Sequence, residues 1–203
     1  AAARDGLVPV DDHTWSGDVV LVADPVPVRG GVRVDVRADG ARYEAIARGR
    51  VARDVRQLDA GDVIRVDGRV KPRRGDAPWL DARHVVARLE VERVHGHRRA
   101  TGALGIANAL RDVLARGGDA LPPRQRPLYT GMVFGDDREQ QPIVVDDLRA
   151  AGLGHLLAVS GQNVAVMLGA ARPLLERCRY RVRFPLTLGF LALLLLVTRA
   201  EPS

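Results

Sequence analysis

Lysine is almost missing from this chain of 203 residues: Lys71 is the single one among 31 basic side chains, so a formal charge of +6 rests on arginine. A pI near 10.5 favours a polyanionic partner, nucleic acid or an anionic membrane surface, over a basic one. Acidic residues number 25, which excludes a histone-like basic tail. Cysteine is as scarce. Cys178 alone permits no intramolecular disulfide and no cysteine metal cluster. Aromatic residues make up 4% of the chain, too few for a dense base-stacking platform. The first ten residues lack the basic-then-apolar order of a secretion signal, so a different segment is expected to direct any membrane location.

What the sequence does hold is hydrophobic content of 46%, enough for a core, distributed in two styles. From Trp15 to Val94 the pattern alternates, as half-buried strands do. Five strands are predicted: Asp18 to Ala23, Val32 to Arg37, Arg42 to Arg48, Val63 to Val70 and Ala82 to Val94. Turn signals separate them at Gly30-Gly31, Asp39-Gly40, Asp59 to Asp62 and Arg73 to Pro78. Val32, Val34 and Val36 share one face, opposite Arg33, Asp35 and Arg37. Ile64, Val66 and Val70 likewise oppose Arg65, Asp67 and Arg69. The run from Leu58 to Val70 resembles the later half of an OB-fold, a partly open five-stranded barrel.

Beyond His97 the period becomes helical. A helix capped by Thr101 places Ala103, Ile106, Ala107, Leu110, Val113 and Leu114 on one face and stops at Gly117-Gly118. Pro122, Pro123 and Pro127 mark a joint, and a second helical stretch runs up to Gly135. Leu153 to Ala171 carries no formal charge apart from His155, and at ~1.5 Å per residue a helix of that length approaches the bilayer core thickness. Its centre, Ser160-Gly161-Gln162-Asn163, puts polar side chains and a helix breaker where an anchor carries leucine. Interrupted helices of this kind mark transport paths, or else buried turns in a soluble helical domain. A shorter apolar run spans Phe184 to Val197. Between the two apolar runs lie Arg172, Arg177, Arg179, Arg181 and Arg183 with one acid, Glu176, and such loops stay cytoplasmic.

Two stretches then carry a family resemblance: Phe134-Gly-Asp-Asp-Arg138, and Asp147-Leu-Arg-Ala-Ala-Gly-Leu-Gly-His-Leu-Leu-Ala-Val-Ser-Gly-Gln-Asn-Val-Ala165. They resemble the start of the competence domain of ComEC-type DNA-uptake channels. The correspondence is dense from about Leu128 to Ala171 and weaker through the last apolar run. In that family an OB-like domain precedes this segment. Many members place a histidine shortly after the Ser-Gly, where this chain has Gln162 and Asn163, so no role of that histidine transfers. The family's remaining membrane helices, and the metallo-β-lactamase-like domain that many members carry at the C-terminus, have no counterpart in these residues. The resemblance implies part of an inner-membrane channel that takes up single-stranded DNA during natural transformation, working beside other competence proteins and in contact with the lipid bilayer.

The expected architecture is α+β: an N-terminal extension (1–14), an OB-like β-barrel (15–97), a helical linker (98–152) and a partly membrane-embedded segment (153–203), with the barrel on the extracytoplasmic side. The alternative is a soluble OB-type nucleic-acid-binding module. Arg33, Arg37, Arg48, Arg65 and Arg69 are the candidate phosphate contacts on wet strand faces, with Tyr43 and Trp79 as stacking aromatics. Each arginine equally serves to solubilise a strand face. His155, Ser160, Gly161, Gln162 and Asn163 are the candidate channel-lining break. Catalysis by Ser160 and His155 is not expected, because the hydrolase elbow needs glycine two residues before and two residues after the serine, and Ala158 and Gln162 stand there. Asp136-Asp137 and Asp146-Asp147 read as turn and cap residues, and His13, His84, His95 and His97 lack ligand spacing, so neither metal nor cofactor is expected.

Overall fold

The computed structural model describes residues 11–72, 80, 83–136, 138, 140, 144, 147, 150–152, 169, 172–173, 176–177 and 179–198. The chain divides into two units, Ala1–Gly105 and Ile106–Ser203.

Among its described residues the first unit holds one six-stranded sheet and the helix that follows its fourth strand. Its elements are β1 (His13–Leu21), β2 (Val26–Val28), β3 (Gly31–Ala38), β4 (Ala41–Arg48), α1 (Gly49–Arg56), β5 (Val63–Pro72) and β6 (Val85–Arg98). All five expected strands are present, with shifted ends. Alternation alone marks the first strand from Asp18, but β1 begins at His13 because it pairs antiparallel with β5 from His13↔Val70 to Val20↔Val63. Similarly β6 runs on to Arg98 by pairing with the first half of β5. β2 was hidden by Pro25 and Pro27. It is an edge strand paired only with β3, and there a missing N–H costs little. α1 replaces an expected connection: Val51, Ala52 and Val55 fall on one helical face, and Ala52 and Val55 are buried.

The strand order is β1-β5-β6-β4-β3-β2, with β1 also paired to β3 at Val20↔Arg37 and Leu21↔Val36. Following the pairings from β1 through β5, β6, β4 and β3 therefore leads back to β1. β4 and β6 are parallel; every other pair is antiparallel. The β3–β4 hairpin closes over Asp39-Gly40, both with positive φ (50° and 80°), the geometry a two-residue turn needs to match strand twist. Val19, Leu21, Val34, Val36, Ile64, Val66, Val70, Ala87 and Leu89 fill the interior, all nearly inaccessible. Gly68 lies inside this region, where any Cβ would strike the carbonyl oxygen of Glu90. The Gly-Asp turn before β5 is fixed by Asp62, whose carboxylate accepts bonds from the Asp59 and Ala100 backbone N–H groups (3.1 and 2.8 Å).

The second unit contains most of α2 (Gly102–Gly117), a 3₁₀ turn (Gly118–Ala120), α3 (Arg126–Phe134) and α4 (Tyr180–Val197). α2 starts directly after Thr101 and stops at the glycine pair, as its pattern predicts. α3 has Pro127 in its first turn and ends on left-handed Gly135 (φ 76°). Ala107, Leu110 and Leu114 of α2 pack with Val133 of α3 and with Leu193, Leu196 and Val197 of α4. The other end of α4 leaves Val182, Phe184, Leu186 and Leu188 exposed. Among the described residues no helix is long and apolar enough to cross a membrane. The uncharged run Phe184 to Val197 gives about 21 Å of helix against a core of roughly 30 Å. Of the expected interrupted span from Leu153 to Ala171, only Gly169 is among the described residues.

Candidate nucleic-acid interface

The side chains that alternation sends away from the core define two different outer faces of the sheet. On β3 and β4 the register sets Arg33 opposite Ile46, Asp35 opposite Glu44 and Arg37 opposite Arg42, with Arg48 at the end of β4. Arg37 and Arg48 are exposed and Arg33 is half-buried. The centre of this face is acidic and covered. Asp35 and Glu44 retain only 7% and 4% of their surface. Like charges directly opposite repel, so the pair persists through neighbouring guanidinium groups. Arg83 donates to both oxygens of Asp35 (3.2 and 3.1 Å), and Arg88 donates twice to Glu44 (3.2 and 2.9 Å). Arg42 in turn donates to the Arg83 carbonyl at 3.1 Å. Burial holds the Asp35 carboxyl above its ordinary value, against the attraction of Arg83 and Arg42 and with added repulsion from Glu44. Arg33 and Arg37 therefore flank a self-neutralised patch.

A different arrangement occupies the outer face of β1, β5 and β6. Arg65 and Arg98, on neighbouring strands, converge on Asp18: Arg65 Nε donates to one carboxylate oxygen at 2.7 Å and Arg98 Nη2 to the other at 3.1 Å. The hydrogen bond from Arg65 is the chief cause of an Asp18 pKa below the usual carboxylate value. Beside them His95 bonds Asp67 and His97 bonds Asp62 (2.9 Å). Asp67 is likewise held low by hydrogen bonds from Ser16 and His95. β6 carries one extra residue relative to β5 at His95 and another at Glu92, and such bulges re-aim the adjacent side chains. Together Asp18, Arg65, His95, Gly96, His97 and Arg98 border an open groove of about 340 Å³.

The structure thus divides the expected contacts. Arg33, Arg37 and Arg48 lie on the β3–β4 face, whereas Arg65 and Arg69 lie on the β5 face, Arg69 within 4.0 Å of Asp12. Tyr43 is half-buried and packs against the core, leaving only part of its ring open. Trp79 lies outside the described residues, as do His155, Ser160, Gly161, Gln162 and Asn163. Sequence reasoning missed Arg83, Arg88, Asp18 and Arg98. The run His95 to Arg99 was the available signal for the last, but it lies where alternation breaks down. Among the described residues no group of three or more His, Cys, Asp or Glu side chains is placed to hold a metal ion.

In the second unit the Gly135-Asp136 turn forms a buried charge cluster. Asp136 accepts from Arg138 through its backbone N–H (3.2 Å), Nε (2.8 Å) and Nη2 (2.6 Å), and Arg111 Nη2 lies 3.5 Å away. Arg111, itself 4% exposed, also donates to the carbonyl of Val197 at 2.7 Å, supplying a donor to the open end of α4. Burial pushes the Asp136 carboxyl up, but bonds and charge from Arg138 with the charge of Arg111 outweigh it, and the net shift is downward.

Fold and faces define an α+β protein with an arginine-rich sheet unit and a helical unit built around a Gly-Asp turn. Residues 132–203, about a third of the chain, match the family described as Competence protein. A comparison with curated proteins finds no match. Among solved structures, a chain described as a "putative aspartyl-tRNA synthetase from Leishmania major Friedlin" is similar at 17% identity with a TM-score of 0.37. The similarity covers 64% of this chain and 27% of that one.

Proposed function

We propose that this chain is part of an inner-membrane channel of the ComEC type that draws single-stranded DNA into the cell during natural transformation. The match of residues 132–203 to competence proteins carries the reading. It is supported by the motif from Phe134 to Ala165 and by the uncharged run from Leu153 to Ala171, whose Ser-Gly-Gln-Asn centre suits the lining of a polar path through lipid. In this reading the sheet unit is an OB-like barrel outside the membrane. The pairings that return to β1, the parallel β4–β6 pair and the helix between β4 and β5 support that assignment. Exposed arginines on the barrel would engage phosphates before the strand reaches the membrane segment. No catalytic step is assigned to the chain.

The test is deletion of the gene in its host, with labelled duplex DNA supplied outside. The expected result is loss of transformants while DNA still accumulates outside the inner membrane. Unchanged transformation overturns the reading. Fractionation adds a second check: recovery of the chain as a detergent-free soluble monomer would favour a nucleic-acid-binding module without transport.

A further inference from the structure

We infer that the groove between β1, β5 and β6 is a backbone-phosphate site for single-stranded nucleic acid, and that Asp18 occupies it as an internal stand-in for the phosphodiester. This rests on the proposed function for its ligand class, but the site is argued from geometry. Arg65 and Arg98 come from two adjacent strands and each binds a different oxygen of the same carboxylate, at 2.7 and 3.1 Å. The two non-bridging oxygens of a phosphodiester have nearly the same spacing as the two oxygens of a carboxylate. They accept the same charge-assisted bonds. Both arginine side chains remain largely solvent-accessible, 65% and 72%, and the Asp18 side chain at 38% is not locked in by packing. An incoming phosphate can therefore displace it without exposing core. Gly96, opposite Arg65 in the register, leaves the floor open: a Cβ there would meet nothing within 4 Å.

The contrast with the β3–β4 face decides the location. There the arginines cover buried carboxylates, and releasing them would strand Asp35 and Glu44 without counter-charge. In the groove the only carboxylate shared by two arginines is half-exposed and returns to water at little cost. The lining residues include no Phe, Tyr or Trp, so the site grips backbone rather than reading bases, and binding is independent of sequence.

The experiment titrates a fluorescein-labelled oligothymidylate against the full chain in detergent at several salt concentrations. Variants are Arg65→Ala/Arg98→Ala, Arg65→Lys/Arg98→Lys, Asp18→Asn and Arg33→Ala/Arg37→Ala, each checked for folding by tryptophan fluorescence. The alanine pair is expected to weaken binding roughly tenfold or more and to flatten the salt dependence by about 0.7 per phosphate lost. The lysine pair keeps the wild-type salt slope, and Asp18→Asn binds several-fold tighter than wild type. If Asp18→Asn binds no better, the stand-in role is refuted. If Arg33→Ala/Arg37→Ala abolishes binding and the groove variants do not, the site is refuted while DNA binding stands. Should wild-type chain fail to bind at low salt, both the groove and the DNA contact of the proposed barrel fall. Binding of phosphatidylglycerol vesicles in place of the oligonucleotide, dependent on Arg65 and Arg98, would make the partner a lipid and overturn the proposal.

Discussion

Replacing Arg83 by Met tests whether the β3–β4 face is held by its own charges. The substitution keeps the aliphatic stem and removes both hydrogen bonds to Asp35, whose side chain is 8% exposed and faces Glu44 across the ladder. Breaking a fully buried pair from one side costs about 3–5 kcal/mol. Arg83 is itself 34% exposed, so solvent screening reduces this to about 2–3 kcal/mol. With a urea slope of roughly 1–1.5 kcal/mol/M for a unit of this size, the midpoint falls by about 2 M. Both tryptophans, Trp15 and Trp79, lie in the first unit, so their fluorescence follows its unfolding selectively. The pH dependence has a definite sign. Burial raises the Asp35 pKa in the folded state above its ordinary 3.8, so ionisation penalises the fold as pH rises from that value through the raised one. Acidification into this range relieves the penalty, and the deficit of Arg83→Met narrows below its value at pH 7. Asp35→Asn combined with Arg83→Met should recover most of the loss, with a coupling of about 1–3 kcal/mol. A single variant with wild-type stability at pH 7, or a deficit that widens on acidification, refutes the account.

Gly68→Val should prevent the first unit from folding, since its Cβ would overlap a backbone carbonyl of the adjacent strand that cannot move without breaking the β5–β6 ladder; near-native circular dichroism would contradict this. Arg111→Met leaves the Val197 carbonyl without its donor and removes one cation from Asp136, an expected cost of about 2–4 kcal/mol. It should appear as faster amide exchange over the last turn of α4, and unchanged protection there would dismiss the clamp. Because the Asp136 pKa is lowered, its contribution is fully present above the ordinary carboxylate value of 3.8 and is lost as pH falls below it. Protection of that turn should therefore hold steady from neutral pH to about 4.5 and decline only in stronger acid. Asp136→Asn should remove that acid-dependent decline.

The sequence by itself determined the strands and their faces. Val32, Val34 and Val36 can bury only on the side opposite Arg33, Asp35 and Arg37, because side chains alternate along any extended chain. It likewise determined the Asp39-Gly40 turn, the glycine stop of α2 and the motif from Phe134 onward, since positive φ, helix termination and a short signature are local properties. Tertiary structure alone decided what each charge does. Arg33 and Arg83 are the same residue type in comparably polar stretches, yet only Arg83 is brought over two buried carboxylates, by a connection between strands that meet elsewhere in the sheet. Arg65, Arg98 and Asp18 lie 47 and 80 residues apart along the chain. Their meeting depends on β5 pairing with both β1 and β6 and on a bulge at His95, none of which leaves a periodic trace. α1 and β2 escaped for the same reason. An eight-residue helix and a three-residue edge strand are too short for a period to register, and neighbours supply what their own sequence does not.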